Sequence, residues 1–135
     1  HPEKPWWDEN RVVAAQPFFR YVVHDALVEA GRADLIVDQC RDWTVALRRC
    51  DTSWTECWFG GTVSHGWSST PTRDLMQRVL GVTPAEPGFT RARIEPNLSD
   101  LEWAKGVVPT PFGPITVSID ASGVQVDSPV PYELV

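Results

Sequence analysis

The chain of 135 residues is poor in cysteine and in basic residues, and each shortage excludes a class of protein. Its three cysteines contain no CxxC pair of the kind that binds zinc. Twelve Lys and Arg residues against eighteen Asp and Glu give a formal net charge of −6, which opposes binding to nucleic acid or to anionic membranes. No apolar run approaches the roughly 18 residues that a membrane span needs. A neutral or small-molecule ligand fits this composition better.

A hydrophobic content of 42% is sufficient for one globular domain or for two small ones. Such a chain buries about two-thirds of its unfolded surface, so disorder is excluded. We interpret Cys40, Cys50 and Cys57 as free thiols. A disulfide between two of them remains the alternative, and it would leave the third unpaired.

The first half of the chain has the apolar spacing of α-helices. Gln16-Pro17 predicts the start of a first helix, whose apolar rows continue until Gly31 ends it. A second helix is predicted from about Ala33 to Arg49. A third begins at Thr70-Pro71 and carries an apolar stripe up to Gly81.

The second half changes from helical spacing to the period of two that is typical of strands. Residues 82–88 predict a linker, and apolar and polar side chains alternate from Phe89 onward. Two turn sequences, Pro109–Pro114 and Asp120–Gly123, predict antiparallel hairpins within residues 89–127. The chain is therefore predicted to be α+β, with its helices preceding its sheet.

The stretch from residue 50 to residue 67 shows no clear period and is long for a structureless connection, which favours a functional role. It places one carboxylate, Glu56, and one imidazole, His65, among glycines, serines and three tryptophans. A sugar ring stacks its apolar C–H patches on indole faces and offers hydroxyls to charged partners. This composition therefore predicts a sugar site.

Each of these residues also has an ordinary structural interpretation. Glu56 could be a surface carboxylate, and His65 could be a hydrogen-bonded structural histidine. The indoles could tie the loop to its surroundings, although we expect one of them to touch sugar: Trp54, Trp58 and Trp67. A nucleophilic Cys57 is a further alternative, which would need a nearby histidine such as His65 and a depressed pKa. His24, on the polar side of the first helix, is predicted to be solvated.

Five segments, in this order along the chain, resemble the bacterial α-L-rhamnosidases of glycoside hydrolase family 78. They span the change from helices to strands: Thr52-Ser-Trp-Thr-Glu-Cys-Trp58, Ser64-His-Gly-Trp-Ser-Ser69, Val79–Phe89, Ile94-Glu-Pro-Asn97 and Val108-Pro-Thr-Pro-Phe-Gly113. The resemblance implies the last helices of an (α/α)6 barrel, followed by an antiparallel β-sheet that is part of a β-sandwich. It predicts an incomplete barrel in residues 1–83 and a carboxyl-terminal β-domain in residues 84–135.

The resemblance also implies roles for individual residues. Glu56 matches the glutamate that acts as general base in an inverting hydrolysis, and His65 matches a sugar-contacting histidine. Trp58 and Trp67 are the further predicted substrate contacts, with no metal and no cofactor. The general acid of the family belongs to an acidic motif without a counterpart in these 135 residues, so the chain alone is predicted to be inactive.

The predicted partner is a rhamnose-containing glycan or glycoside. The alternatives are a non-catalytic carbohydrate-binding or interaction module, and a related barrel glycosidase that acts on another neutral sugar. An incomplete barrel leaves apolar helix faces uncovered. We therefore expect self-association, or pairing with the missing barrel portion.

Overall fold

The computed structural model describes residues 14–48 and 52–135. Short helices fill the first part of the chain, and two three-stranded sheets fill the second. This order confirms the predicted α+β class. Within the described residues, no helix has both the length and the apolar character needed to cross a membrane.

The first helix, α1, spans Arg20–Glu29 and is preceded by a 3₁₀ turn at Pro17–Phe19. Proline suits this first turn because its fixed φ is already helical and its missing N–H has no helical partner there. Gly31 follows the helix with φ 72°, a conformation that glycine adopts without steric cost. The predicted start and end of this helix are confirmed.

The predicted second helix is interrupted, so the prediction of one continuous helix was wrong. It consists of a 3₁₀ turn at Ala33–Leu35, α2 at Ile36–Arg41 and α3 at Thr44–Leu47. The break lies next to Trp43, which is 2% exposed and whose indole N–H donates to the carbonyl of Ser68 at 2.8 Å. Burying and pairing this indole outweighs the regular apolar spacing. The predicted end at Arg49 lies outside the described residues.

The third helix, α4, spans Thr70–Asp74 and continues as a π-helical turn at Leu75–Val79. Gly81 then ends it with φ 75°, as predicted. A Cβ at this position would lie 2.0 Å from the carbonyl oxygen of Glu95. The helix end and the sheet therefore approach each other so closely that only glycine fits.

Six strands follow, with ranges given in chain order: β1 Val82–Pro84, β2 Ala92–Ile94, β3 Ala104–Thr110, β4 Gly113–Asp120, β5 Gly123–Asp127 and β6 Tyr132–Leu134. One sheet has the order β1-β2-β6, with β1 antiparallel and β6 parallel to β2. Its first strand begins inside the predicted linker of residues 82–88, which corrects that prediction. Its parallel pair also departs from the predicted antiparallel arrangement.

The second sheet has the order β3-β4-β5 and is antiparallel throughout. Its turns lie within the two turn sequences, and the second is fixed by Asp120, whose Oδ1 accepts from the Ser122 N–H at 2.7 Å. The hairpins predicted in this part of the chain are confirmed. Their local turn chemistry sets the register without help from distant residues.

The core of the β-part gathers side chains from both sheets and from the end of the third helix. Its buried members are Leu80, Val82, Ala92, Ile94, Val108, Ile115, Val117, Ile119 and Val130. The Leu80 side chain packs directly against Gly106 of β3, where an added Cβ would lie 2.5 Å from Leu80 Cδ1. The last helical turn is thus part of the β-core. The division between residues 83 and 84 into two domains stays a prediction.

Candidate functional site

The loop that carries Glu56 folds into a small hairpin, here called the Glu56–Thr62 hairpin. The Glu56 N–H donates to the Thr62 carbonyl at 2.9 Å, and the Cys57 N–H donates to the Gly60 carbonyl at 3.3 Å. Gly60 and Gly61 turn the chain with φ values of 142° and 77°. These positive angles explain why two glycines stand at this point of the sequence.

The Glu56 side chain folds back over its own hairpin. Its Oε2 accepts from the N–H of Thr62 at 3.2 Å and from the hydroxyl of Thr62 at 3.3 Å. A Cβ on Gly61 would lie 2.8 Å from Glu56 Cβ and 2.9 Å from Oε2. A side chain at Gly61 would therefore displace the carboxylate. Oε1 of Glu56 accepts no hydrogen bond from any residue that the structure describes.

His65 lies beside this hairpin and is held from two sides. Its backbone N–H donates to the carbonyl of Trp54 at 2.9 Å. Its ring nitrogen Nδ1 lies 3.3 Å from the hydroxyl oxygen of Thr62. The rings of Phe18 and Trp67 make T-shaped contacts with the imidazole, and each ring centroid lies 6.1 Å from that of His65. Nε2 is buried and has no hydrogen-bond partner within residues 14–48 and 52–135. The structure therefore brings the two predicted residues together through Thr62, which the sequence did not single out.

The two tryptophans predicted to bind substrate have different environments. Trp67 is 69% exposed and meets His65 edge to face. Trp58 is 9% exposed, its indole N–H donates to the Ala15 carbonyl at 2.9 Å, and the Arg20 guanidinium lies 5.3 Å from its ring centroid. Trp67 therefore offers a face for stacking, whereas Trp58 is mostly covered.

Residues before and within the first helical turn anchor the loop. The Phe18 N–H donates to the Glu56 carbonyl at 3.3 Å, and the Gln16 side-chain carbonyl accepts from the Trp58 N–H at 3.0 Å. Both contacts join positions that are far apart in the chain, so local sequence patterns give no signal for them. They fix the backbone at the Glu56 carbonyl and at Trp58, two residues further along the chain.

A second carboxylate and imidazole lie inside the helical part. His24 and Asp74 are both 0% exposed, and His24 Nδ1 lies 2.5 Å from Asp74 Oδ2. The prediction that His24 is solvated was wrong, because α4 supplies a buried carboxylate on the side of α1 that appeared polar. Arg73 donates to the other oxygen, Asp74 Oδ1, at 2.8 Å. This buried pair is therefore hydrogen-bonded on both carboxylate oxygens.

Cys40 approaches the buried pair, and its sulfur lies within 4.8 Å of the ligand atoms of His24 and Asp74. Burial, together with the negative charge of Asp74, raises the pKa of the Cys40 thiol to about 12. Two ligands that share a tetrahedral zinc ion lie about 3.3 Å apart, whereas His24 and Asp74 are at hydrogen-bond distance. The cluster is thus arranged as a hydrogen-bonded pair beside a protonated thiol.

Cys40 and Cys57 are free thiols, as predicted. Burial, followed by the adjacent Glu56 charge, raises the pKa of the Cys57 thiol, which is opposite to the change that a nucleophile needs. Cys50 lies outside the described residues, so its state stays a prediction.

Three comparisons relate the chain to known proteins. Residues 81–133 match the family described as the bacterial alpha-L-rhamnosidase C-terminal domain. An alpha-L-rhamnosidase of Alteromonas sp. (strain LOR) is 32% identical over 130 residues, which covers 82% of this chain and 14% of that protein. The crystal structure of a GH78 family rhamnosidase of Bacillus sp. GL1 matches with a TM-score of 0.72 and 28% identity, covering 89% of this chain and 15% of that one.

These matches include both the helical part and the β-part, because each relative covers more than four-fifths of the chain. They assign the chain to the glycoside hydrolases. Within this class it belongs to the bacterial α-L-rhamnosidases of family 78, where it corresponds to a carboxyl-terminal part. The chain spans about one-seventh of the length of each relative, 14% and 15%.

Proposed function

We propose that this chain supplies the general base of an inverting hydrolysis of terminal α-L-rhamnosides, with Glu56 as that base. The observation that carries the proposal is the arrangement of its carboxylate. Thr62 binds Oε2 through two donors, while Oε1 accepts nothing from the described part of the chain. A carboxylate fixed through one oxygen can accept the proton of an attacking water on the other.

The substrate class is proposed from the relatives, both of which are named rhamnosidases. The substrate is a rhamnose-containing glycan or glycoside. We propose His65 and Trp67 as the sugar contacts, because the imidazole and an indole that is 69% exposed contact each other there. Trp58, with 9% exposure, is better suited to pack beneath the surface and hold the loop in place than to stack on a sugar.

The general acid is proposed to come from elsewhere in a longer protein, because its family motif has no counterpart in these residues. An inverting hydrolysis requires that acid about 6.5 to 9.5 Å from the base, with the attacking water between them. The chain alone is therefore proposed to be inactive. Its helices are proposed to be the last ones of an (α/α)6 barrel, and its sheets the β-domain that follows.

Exposed apolar side chains on the helices support the proposal of an incomplete barrel. They include Phe19 at 47%, Val45 at 37%, Leu47 at 48% and Leu75 at 44% exposure. Helices of a complete barrel bury such positions against neighbouring helices. We propose that the isolated chain covers these faces by self-association or by pairing with the rest of the barrel.

The test compares Glu56→Gln with Glu102→Gln in a protein that joins this chain to the upstream barrel and its acidic motif. Glu102 is exposed and makes none of the described polar contacts, so its variant controls for the loss of one negative charge. Glu56→Gln is expected to lower kcat on an aryl α-L-rhamnoside by about 10²- to 10⁴-fold, the usual contribution of a general base. The control should keep full activity. Near-normal hydrolysis by Glu56→Gln would refute the assignment.

A non-catalytic carbohydrate-binding module is the second candidate, and the exposed Trp67 beside His65 is the observation that favours it. Calorimetry of the chain with rhamnose separates the two functions. Binding by the chain alone, lost in Trp67→Ala, together with full hydrolysis by Glu56→Gln in the longer protein, would favour the module. The absence of binding by the chain alone fits a sugar site that needs the rest of the barrel.

A further inference from the structure

Thr62 is the residue through which Glu56 and His65 are connected. Its hydroxyl oxygen lies 3.3 Å from Glu56 Oε2 and 3.3 Å from His65 Nδ1. No direct hydrogen bond between the carboxylate and the imidazole is present in the described structure. Any coupling between the two groups in this chain therefore passes through one hydroxyl group.

The proton count of this hydroxyl fixes the direction of both hydrogen bonds. An ionised carboxylate can only accept, and a hydroxyl has a single proton to donate. The Thr62 hydroxyl therefore gives its proton to Glu56, and its oxygen accepts from His65. This requires the proton of a neutral His65 ring to reside on Nδ1, which leaves Nε2 with a free lone pair.

The environment of Nε2 agrees with this assignment. Nε2 is buried and has no hydrogen-bond partner in the described part of the chain, although the His65 residue itself is partly exposed. Nε2 of His24 is also buried without a described partner, but its side chain is 0% exposed, whereas His65 is partly exposed and lies beside the exposed Thr62. A lone pair at Nε2 is suited to a ligand that donates, such as a sugar hydroxyl.

We propose that Thr62 is a positioning residue that orients the Glu56 carboxylate and holds His65 as the Nδ1–H tautomer, so that Nε2 accepts a hydrogen bond from a substrate hydroxyl. The inference rests on the proposed function for the identity of the ligand. The tautomer itself does not, because it follows from a Thr62 hydroxyl that donates to the Glu56 carboxylate and lies beside His65 Nδ1.

Nitrogen-15 NMR of the His65 ring in the 135-residue chain tests the proposal. In alkaline buffer, where imidazoles are uncharged, the shifts of the two ring nitrogens show which one carries the proton. Nδ1 is expected to be protonated in the unaltered chain and in Thr62→Ser, which keeps the hydroxyl. Thr62→Val removes the hydroxyl and is expected to return His65 to the Nε2–H form that free imidazole side chains prefer.

Ser64→Ala is the matched control, because it removes an exposed hydroxyl next to His65 that makes none of the described hydrogen bonds. It should leave the proton on Nδ1. A ring that is mainly Nε2–H in the unaltered chain, or one that stays Nδ1–H in Thr62→Val, would overturn the proposal. Both readouts are independent of hydrolysis, so this result and the kinetic result for Glu56→Gln succeed or fail separately.

Discussion

His24 meets Asp74 directly, at 2.5 Å with both side chains fully buried, whereas Glu56 reaches His65 through the Thr62 hydroxyl on a partly exposed loop. In the first pair both carboxylate oxygens are bound, one by His24 and the other by Arg73. In the second pair Glu56 Oε1 lacks a partner among the described residues, whereas Nε2 is buried without a described partner in both histidines. The two regions therefore differ at the carboxylate, which has both oxygens bound in one and a single oxygen bound in the other.

This difference shows how a fold separates stability from chemistry. A buried carboxylate must have all its partners in place, because an unpaired charge in the interior is strongly destabilising. A carboxylate that acts on a substrate must keep one oxygen available. On a loop near solvent this oxygen loses little stability, because water can hydrate it. The buried pair is therefore assigned to the fold, and the Glu56–Thr62 hairpin to the proposed reaction.

Removal of the buried carboxylate should have the largest effect on the fold. Asp74→Ala removes the partner of the buried His24 Nδ1 and one of the two carboxylates that bind Arg73, the other being Asp25, and we expect it to lower the free energy of unfolding by about 3 to 5 kcal/mol. Urea denaturation followed by circular dichroism measures this loss. Asp38→Ala, on the exposed face of α2, is the control and should change little. Equal stability of the two variants would show that the buried pair does not hold the helices together.

The reactivity of the thiols should differ between the same two regions, with Cys40 beside the buried pair and Cys57 in the Glu56–Thr62 hairpin. Because the pKa of Cys40 is raised to about 12, its thiolate fraction at pH 9 is roughly several hundredfold below that of an ordinary thiol. Alkylation with iodoacetamide, followed by mass spectrometry in a Cys50→Ser background, should modify Cys57 well before Cys40. Faster reaction at Cys40 would mean that the interior beside His24 is open to solvent.

A side chain on the hairpin glycine should have an intermediate effect. Gly61 has φ 77°, where an added Cβ costs about 1 to 2 kcal/mol, and that Cβ would also lie 2.9 Å from Glu56 Oε2. Gly61→Ala should therefore lower stability by about that amount and displace the carboxylate. Gly66→Ala, where a Cβ meets nothing within 4 Å, is the control. Equal unfolding free energies for the two variants would contradict the described hairpin geometry.

The exposed indole should have the smallest effect on stability. Trp67 is 69% exposed, so Trp67→Ala should change the free energy of unfolding by no more than about 0.5 kcal/mol. Trp43, at 2% exposure, gives the contrast, since Trp43→Ala should cost about 3 to 5 kcal/mol. Urea titrations of the two variants, run in parallel, measure both changes in the free energy of unfolding. A similar loss for both variants would make Trp67 a structural residue.

Local sequence rules predicted the elements whose causes are local. Pro17 and Gly31 bounded the first helix, and turn residues set the hairpins of the second sheet. The rules failed where distant residues decide. Burial of Trp43 interrupted the second helix, and β1 was taken for a linker because its partner strand lies further along the chain.

The candidate site could likewise be predicted where the signal is local and could not where distant residues decide. Residue types alone pointed to Glu56 and His65, since a carboxylate and an imidazole among indoles are unusual in a loop. Thr62 carried no signal because its importance arises only when the hairpin brings it opposite Glu56. His24 was misassigned for the same reason, since its partner Asp74 comes from another helix.

The free energy of unfolding of Glu56→Gln, measured beside that of Asp74→Asn, tests most directly whether the two carboxylates have different tasks. Both substitutions remove a charge and keep the shape of the side chain. A residue kept for chemistry on an open loop should tolerate this change, so Glu56→Gln is predicted to stay within about 0.5 kcal/mol of the unaltered chain. Asp74→Asn should lose several times as much. A loss at Glu56→Gln as large as that at Asp74→Asn would contradict the account.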